Sequence, residues 1–343
     1  MTWDAPIAKF LACPRDLTPL HCQTAALVCE RGHSYSIIDG VPVLLVPEVE
    51  QTHPEGTRSL IVAWSRDVSS LPKFEVREGQ IDTHVKNWIS ATNGNLYGHL
   101  VGKLADYPIP EIRLPPGEGR LFLEVGCNWG RWCLAAARAG YRVVGVDPSL
   151  KAIRAANRVA AQLGIDASYL VADGRALPFV NDIFDQVFSY SVLQHFSKPH
   201  AREAMVQIRR VLRPRGRALV QMPNAFGLRC LYHQIRRGFR TTRRFEVRYW
   251  RPAELRSTFS ATIGPSELDA DGYFSLNVQP SDLHLMPLRY RCVIHCSEFL
   301  RRMSGIFPVL VKCADSLYVS STRAESSAAG ENVFLTANIP QGR

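Results

Sequence analysis

Three carboxylates and a run of alternating glycines stand where strands should end. Glu124 is followed by Gly126, Asn128 and Gly130, within a 121–147 run that reads LFLEVGCNWGRWCLAAARAGYRVVGVD and closes on Asp147. Glycines spaced this way let the backbone come close to a ligand, because no Cβ intervenes. A carboxylate at a strand's carboxyl end, facing the same crevice, can accept hydrogen bonds from both hydroxyls of a ribose. Asp173-Gly174 places another acid after a third apolar run. His195 carries the ring suited to removing a proton near neutral pH. Far upstream, Cys13, Cys29 and His33 supply sulfur and nitrogen donors of the kind that hold structural zinc, with Cys22 or Asp16 available as a fourth.

Those groups need a scaffold, and the patterning supplies one. Leu121, Phe122, Leu123 and Val125 form a short apolar run of strand length, Trp132 to Ala139 is alanine-rich and helical by propensity, and Tyr141 to Val146 is a second strand. In a parallel β-α-β unit the glycine turn and the end of the second strand meet at one crevice. Leu170-Val171-Ala172 ends a third strand, Phe184 to Ser191 a fourth, and Ala218 to Met222 a fifth. Between them, Ile153 and Val159 mark a core-facing helix over Lys151 to Gln162, and Met205, Ile208 and Leu212 another over Ala201 to Leu212.

Two cofactor classes use such a turn. The dinucleotide fingerprint asks for glycine where Asn128 and Arg131 stand, so it fits poorly. The turn instead resembles the first motif of class I S-adenosylmethionine-dependent methyltransferases, an acid followed by glycines at alternate positions, with Asn128 replacing the middle glycine. Asparagine tolerates left-handed backbone better than other non-glycine residues. The likeness extends over about 119–224, through Asp147, Asp173, Leu193-Gln194-His195-Phe196 and Arg213-Pro214-Arg215-Gly216. It implies an α/β fold: a doubly wound, mostly parallel seven-stranded sheet in strand order 3-2-1-4-5-7-6. It also implies a cofactor site built from Glu124, Gly126, Cys127, Asn128, Gly130, Asp147, Pro148, Asp173, Gly174, Ser189 and Tyr190. In that family the acid at Glu124 helps hold the methionine end, the one at Asp147 binds ribose and the one at Asp173 meets the adenine amino group.

The N-terminal segment, 1–47, is small, distinct and β-rich. Its opening Cys13-Pro14, the Cys29 to His33 cluster and Asp39-Gly40-Val41-Pro42-Val43-Leu44-Leu45 resemble the zinc-ribbon module that serves as a separate activator of some tRNA methyltransferases. The Cys-Pro-x-Cys knuckle of that family reads Cys13-Pro14-Arg15-Asp16 here. The broken knuckle favours a ribbon that has lost its zinc and docks or shapes its neighbour.

Residues 48–118 read as a linker with little regular structure, then a helical lid. In class I methyltransferases such a segment often lies over the crevice, which would place His84, Trp88, Asn93 and Tyr97 near the substrate. The methyltransferase domain is expected over 119–325. It carries an arginine-rich insertion at about 226–251 and a helical one at about 280–312; 326–343 read as a loose tail. Arg229, Arg236, Arg237, Arg240, Arg243, Arg244, Arg248 and Arg251 stand against Glu246 alone, interleaved with aromatics. Such a segment can clamp a carboxylate or phosphate on a metabolite, or track an RNA backbone. Tyr249-Trp250-Arg251-Pro252 resembles a helix start found in small-molecule methyltransferases. Leu288, Cys292, Cys296, Phe299, Leu300 and Met303 mark one helical face and a candidate dimer surface; the oligomeric state is not set by this pattern.

Composition bounds the rest. A chain of 343 residues with formal charge +10 suits an acidic partner without naming one. No apolar run reaches spanning length, and the N-terminus lacks a signal peptide's layout. Nine scattered cysteines fit a reduced cytoplasm. The expected function is S-adenosylmethionine-dependent methyl transfer to a small, anionic acceptor. An RNA methyltransferase and a cofactor-binding scaffold without turnover are the alternatives.

Overall fold

A computed structural model describes residues 6–69, 71, 79–240, 245–274 and 279–325. Pro72, Arg243, Arg244 and the 326–343 tail lie outside the described residues.

The chain opens with a four-stranded antiparallel sheet in sequence order: β1 (Leu20–Gln23), β2 (Ala26–Cys29), β3 (Ser34–Ile38) and β4 (Val41–Pro42). Asp39 and Gly40 turn β3 into β4 with φ of 47° and 77°, the paired left-handed geometry of a two-residue hairpin. Two helices follow, α1 (Pro54–Ser65) and α2 (Thr83–Asn93). The first corrects the expectation of an irregular linker. His53 caps it, accepting from the Glu55 N–H, Pro54 sits in its first turn, and Ser59, Leu60, Val62 and Ala63 are buried. The apolar face is too short to stand out in the sequence, and packing on the sheet completes the helix.

The main sheet contains β5 (Leu121–Val125), β6 (Arg142–Asp147), β7 (Ala167–Val171), β8 (Phe184–Ser189), β9 (Leu212–Pro223), β10 (Ser266–Gly272) and β11 (Ser316–Thr322). Its order is β10-β11-β9-β8-β5-β6-β7, and β11 alone runs antiparallel to its neighbours. Counted within this sheet, that is the expected 3-2-1-4-5-7-6 order. The helices between them are α3 (Arg131–Arg138), α4 (Leu150–Gln162), α5 (Lys198–Val211), α6 (Leu228–Arg236), α7 (Pro252–Thr262) and α8 (Leu288–Ile306). Ile153, Val159, Met205 and Ile208 are fully buried, as their spacing predicts. On α8, Cys292, Cys296 and Phe299 face solvent, and Ile294 and Ser304 are the buried positions. Apolar spacing alone does not say which stripe meets a neighbour.

The N-terminal sheet is not a separate body. Leu44 N–H donates to Val171 O at 2.7 Å, so the chain after β4 continues the main sheet beyond edge strand β7. Ala12 N–H donates to Pro178 O and Val180 N–H to Phe10 O. Leu11, Leu20, Leu27, Tyr35 and Leu44 share one apolar core with Leu170, Leu177 and Phe179. Pairing an exposed edge in this way satisfies its backbone groups and closes it to other chains.

Candidate active site

The crevice lies beyond the carboxyl ends of β5, β6, β7 and β8. The turn after β5 holds Gly126, Asn128 and Gly130 at φ of 81°, 48° and 83°. A Cβ on Gly126 would sit 2.2 Å from Val192 Cγ2, and one on Gly130 2.5 Å from Tyr169 Oη. Both positions therefore need glycine for space as well as conformation. Asn128 meets the same left-handed demand, and its Oδ1 accepts from Trp129 N–H at 2.8 Å.

The acids divide into different roles. Asp147 Oδ2 accepts from Asn128 N–H at 3.0 Å and Oδ1 from Ser149 N–H at 2.9 Å. Each oxygen retains a further acceptor site, and the side chain borders the crevice. Burial raises its pKa to about 6. Glu124 is buried, and its Oε2 accepts from Cys133 N–H at 2.8 Å, tying strand β5 to the first turn of α3. Burial pushes it up to about 8, opposed by the Cys133 contact. Asp173 is held by Arg175 through Nε (3.0 Å) and Nη2 (2.7 Å), and it accepts the Arg175 N–H as well.

The other expected contacts are mostly internal. Ser189 Oγ donates to Val125 O at 2.9 Å, and Tyr190 Oη donates to Asp271 Oδ2 at 2.7 Å. The Cys127 thiol is buried, Pro148 O accepts from Ser59 Oγ of α1 at 2.7 Å, and Gly174 abuts Val125. These residues shape the crevice wall, with their hydroxyl and carbonyl groups already engaged.

The lid separates into two halves. Asn93 Oδ1 accepts from Trp129 Nε1 at 3.3 Å, and Asn93 Nδ2 is buried with no hydrogen-bond partner among the described residues. Tyr97 Oη donates to Asp282, which also accepts from Arg131 Nη2 at 3.2 Å. Asn93 and Tyr97 thus reach the glycine turn. His84 and Trp88 stack on each other at 6.3 Å, with Lys151 over Trp88, so they lie against α4 instead.

His195 follows β8, and its ring stacks on Phe245 at 4.0 Å. His53, from the start of α1, meets the same Phe245 edge-on at 4.5 Å. Nδ1 of His195 is buried without a hydrogen-bond partner among the described residues. Burial, then His53 and Arg248, lowers its pKa to about 4, so the ring is neutral at pH 7. Burial lowers His84 to about 4 as well. Both values lie below the unfolded ~6.5. Their stabilising contribution is therefore present above pH ~6.5 and lost as pH falls through ~4, up to about 3 kcal/mol apiece. Asp147 and Glu124, raised to about 6 and 8, hold protons in the folded state that the unfolded chain takes up only near pH ~4, so the stability they gain as pH falls offsets part of that loss. A His84→Gln/His195→Gln variant is expected to lose less stability than wild type between pH 7 and 4.5, read by thermal melting. Equal losses would place the two rings in solvent.

Beside the crevice, Tyr190 leads through Asp271 into a cavity of about 90 Å³ lined by Arg113, Arg229, Tyr273, Phe274, Tyr290 and Val293. Arg113 is paired with Asp271 (3.1 Å) and Glu298 (3.7 Å). Arg229 donates to Phe274 O at 3.3 Å.

The ribbon assembles a four-donor cluster of Cys13, Asp16, Cys29 and His33, whose ligand atoms all lie within 4.8 Å of one another. His33 Nδ1 is 3.4 Å from Cys13 Sγ, 3.5 Å from Cys29 Sγ and 3.0 Å from Asp16 Oδ2. A tetrahedral zinc with ordinary bond lengths would space these donors by about 3.3–3.6 Å. The fourth member is Asp16; Cys22 lies on β1 outside the cluster. Asp16 thus supplies the donor that the departure from Cys-Pro-x-Cys removes.

His53, Phe245, Ser59 and Asp282 carry no motif. A cap before Pro54 was the one local signal for His53.

Part of the chain is similar to known proteins. Residues 122–216 match the family model described as a methyltransferase domain. A ubiquinone biosynthesis O-methyltransferase of Brucella ovis is 31% identical over 158 residues, covering 42% of this chain and 60% of that protein. An uncharacterized methyltransferase of Mycobacterium avium is 38% identical over 128 residues, 36% of this chain and 49% of that one. The chain therefore spans about half to three-fifths of these relatives' length. Among solved structures, a complex containing the Haloferax volcanii Trm112 methyltransferase activator aligns at 18% identity. It covers 71% of this chain and 92% of that one, with a TM-score of 0.43.

Proposed function

We propose, from the match of residues 122–216 to a methyltransferase domain, that the protein transfers the methyl group of S-adenosylmethionine to a small-molecule acceptor. The observation that carries this is the glycine turn beside Asp147. The turn offers backbone close to a ligand, and Asp147 keeps acceptor sites for a ribose diol. The buried donor Asn93 Nδ2 at the same turn fits a ligand carrying acceptors. Asp173 fits less well as an adenine contact, because Arg175 already spans its carboxylate. Bound there, the cofactor would supply an electrophilic methyl for in-line displacement.

The chain's own residues would do the positioning. Asp147 orients the nucleoside end, while Glu124 holds the turn against α3. Asn93 and Tyr97 close the turn from the lid side and keep water out. The acceptor side is the cavity of Arg113 and Arg229. Asp271 and Glu298 already engage Arg113 there, and among the described residues Arg229 is the arginine not paired with an acid, the group that would meet an anionic acceptor. His195 stands at the end of β8 as a neutral imidazole able to take a proton. Because its pKa is about 4, its rate contribution should be about tenfold, below the 10²-fold or more of a well-matched base. His195→Ala with near-full turnover at neutral pH would remove it from the chemistry.

The similarity to a ubiquinone biosynthesis O-methyltransferase favours a metabolite over RNA. Methyl-labelled S-adenosylmethionine with a fractionated cell extract tests this directly. Label is expected among small molecules; label in RNA would replace the acceptor class. Absence of cofactor binding would refute the reading altogether.

For the ribbon, Cys13, Asp16, Cys29 and His33 would hold a structural zinc with no part in the reaction. Metal analysis of the purified protein is expected to show zinc near one per chain. Asp16→Ala or Cys29→Ser should lose it and lower the melting temperature, and Cys22→Ser should not. Zinc retained in Asp16→Ala would exclude that ligand set.

A further inference from the structure

Helix α6 presents its apolar face outward. Leu228, Leu231, Tyr232 and Ile235 fall at i, i+3, i+4 and i+7, which is one stripe of a helix, and they are 61%, 37%, 54% and 58% exposed. Phe226 and Phe239 extend the stripe at both ends, 54% and 65% exposed. The inward contacts come from Cys230 and Gln234. Cys230 N–H donates to Asp315 Oδ1, and Gln234 Nε2 donates to Ala225 O and Cys230 O. A lone exposed leucine needs no explanation, but a continuous stripe at helical spacing does.

The polar flanks of the same helix are cationic. Arg229, Arg236 and Arg240 border the stripe, while Arg237 turns inward to Val247 O and Tyr249, and the sequence holds no Asp or Glu from 225 to 245. Burial and the fields of Arg229 and Arg236 depress the neighbouring His233. Just before α6, Asn224 Nδ2 donates to Lys312 O at 2.8 Å, and Ile306, Phe307 and Val309 in the stretch leading to Lys312 are exposed as well.

We propose that α6 is a docking face for an anionic lipid surface. Leu228, Leu231, Tyr232 and Ile235 enter the headgroup–acyl boundary, and the flanking arginines meet headgroup phosphates. Among the described residues no helix is long and apolar enough to cross a membrane, so the association lies in the plane of the surface. Leu228, Leu231 and Ile235, at the centre of the stripe, have no planar face for a base to stack on, and Phe226, Tyr232 and Phe239 suit the headgroup–acyl boundary, so the face favours lipid over nucleic acid. A second copy of the chain is disfavoured by charge. Two such faces would bring arginines together with no acid on the segment to meet them. Arg229 also lines the cavity beside the crevice, so the docked face opens next to the proposed acceptor side.

The test is co-sedimentation of the full chain with phosphatidylcholine vesicles, with and without phosphatidylglycerol. Binding is expected only with phosphatidylglycerol, and it should weaken as salt rises. Leu231→Asp/Ile235→Asp should bind at least about tenfold more weakly with an unchanged melting temperature. Arg236→Gln/Arg240→Gln should lose about fivefold per arginine. Equal sedimentation with and without phosphatidylglycerol, or full binding by Leu231→Asp/Ile235→Asp, would overturn the proposal. So would a dimer that the same variant splits, or RNA binding at the same face with no vesicle binding. The inference does not rest on the methyl-transfer reading. Cofactor binding measured on the same samples shows which of the two has failed.

Discussion

Asp282→Ala is expected to cost about 3–5 kcal/mol of folding stability, because it strands a buried guanidinium. Asp282 is fully buried and accepts from both Tyr97 and Arg131. Arg131 follows Gly130 at the start of α3 and is itself buried, with its Nε lacking a hydrogen-bond partner among the described residues. Among the described residues Asp282 is the carboxylate that forms an ion pair with it, and without that partner the buried charge keeps only the faces of Tyr97 and Trp132 against it. By calorimetry the melting temperature should fall by roughly 6–20 °C. Tyr97→Phe removes one hydrogen bond and keeps the ion pair, so it should cost only about 1 kcal/mol. Asp282→Leu/Arg131→Met removes both charges and should recover much of the loss. A cost below about 1 kcal/mol for Asp282→Ala would mean that water reaches Arg131. The trio joins three distant pieces of chain: the lid, the glycine turn and the segment before α8. Its loss should therefore loosen the cover of the crevice as well.

Asp147→Ala should weaken S-adenosylmethionine binding by at least about 100-fold, measured by titration calorimetry. Two charge-assisted hydrogen bonds to a diol are worth about 1.5–3 kcal/mol each. The carboxylate also accepts from Asn128 and Ser149 N–H, so its removal slackens the turn that faces the ligand. Asp147→Asn keeps the shape and loses the charge, and should fall between the two. The pKa of about 6 adds a signature. Only the ionised carboxylate accepts on both oxygens, so affinity should be level above pH 7 and fall about tenfold per unit below pH 6. Unchanged affinity in Asp147→Ala would refute the ribose assignment.

Much of the scaffold was legible because it is written locally. A buried parallel strand reads as an apolar run, and a left-handed turn demands glycine or asparagine. The 121–147 unit carries both signals, and it folded as its residue types predict. The helix over 54–65 was missed because its apolar face becomes decisive only against α4 and β3. On α8 the spacing marks a stripe that the single chain leaves largely in solvent, so periodicity alone does not say what covers it.

The sequence alone therefore determined the sheet, its order through family resemblance, the glycine cradle and the acid at the end of β6. Each depends on residues within a few positions of one another, or on a pattern that recurs in known chains. Tertiary structure alone decided which donors meet and which charges are spent. Asp16 joins His33 across 17 residues, and Asp282 joins Arg131 across 151. Asp173 was legible as an acid at a strand end, but the fold shows that Arg175 holds it. Phe245 stands between His53 and His195 because chain segments far apart in sequence pack together there. No local spacing encodes such meetings, since they follow from burying apolar surface over the whole chain, and side-chain chemistry is then matched wherever that burial places it.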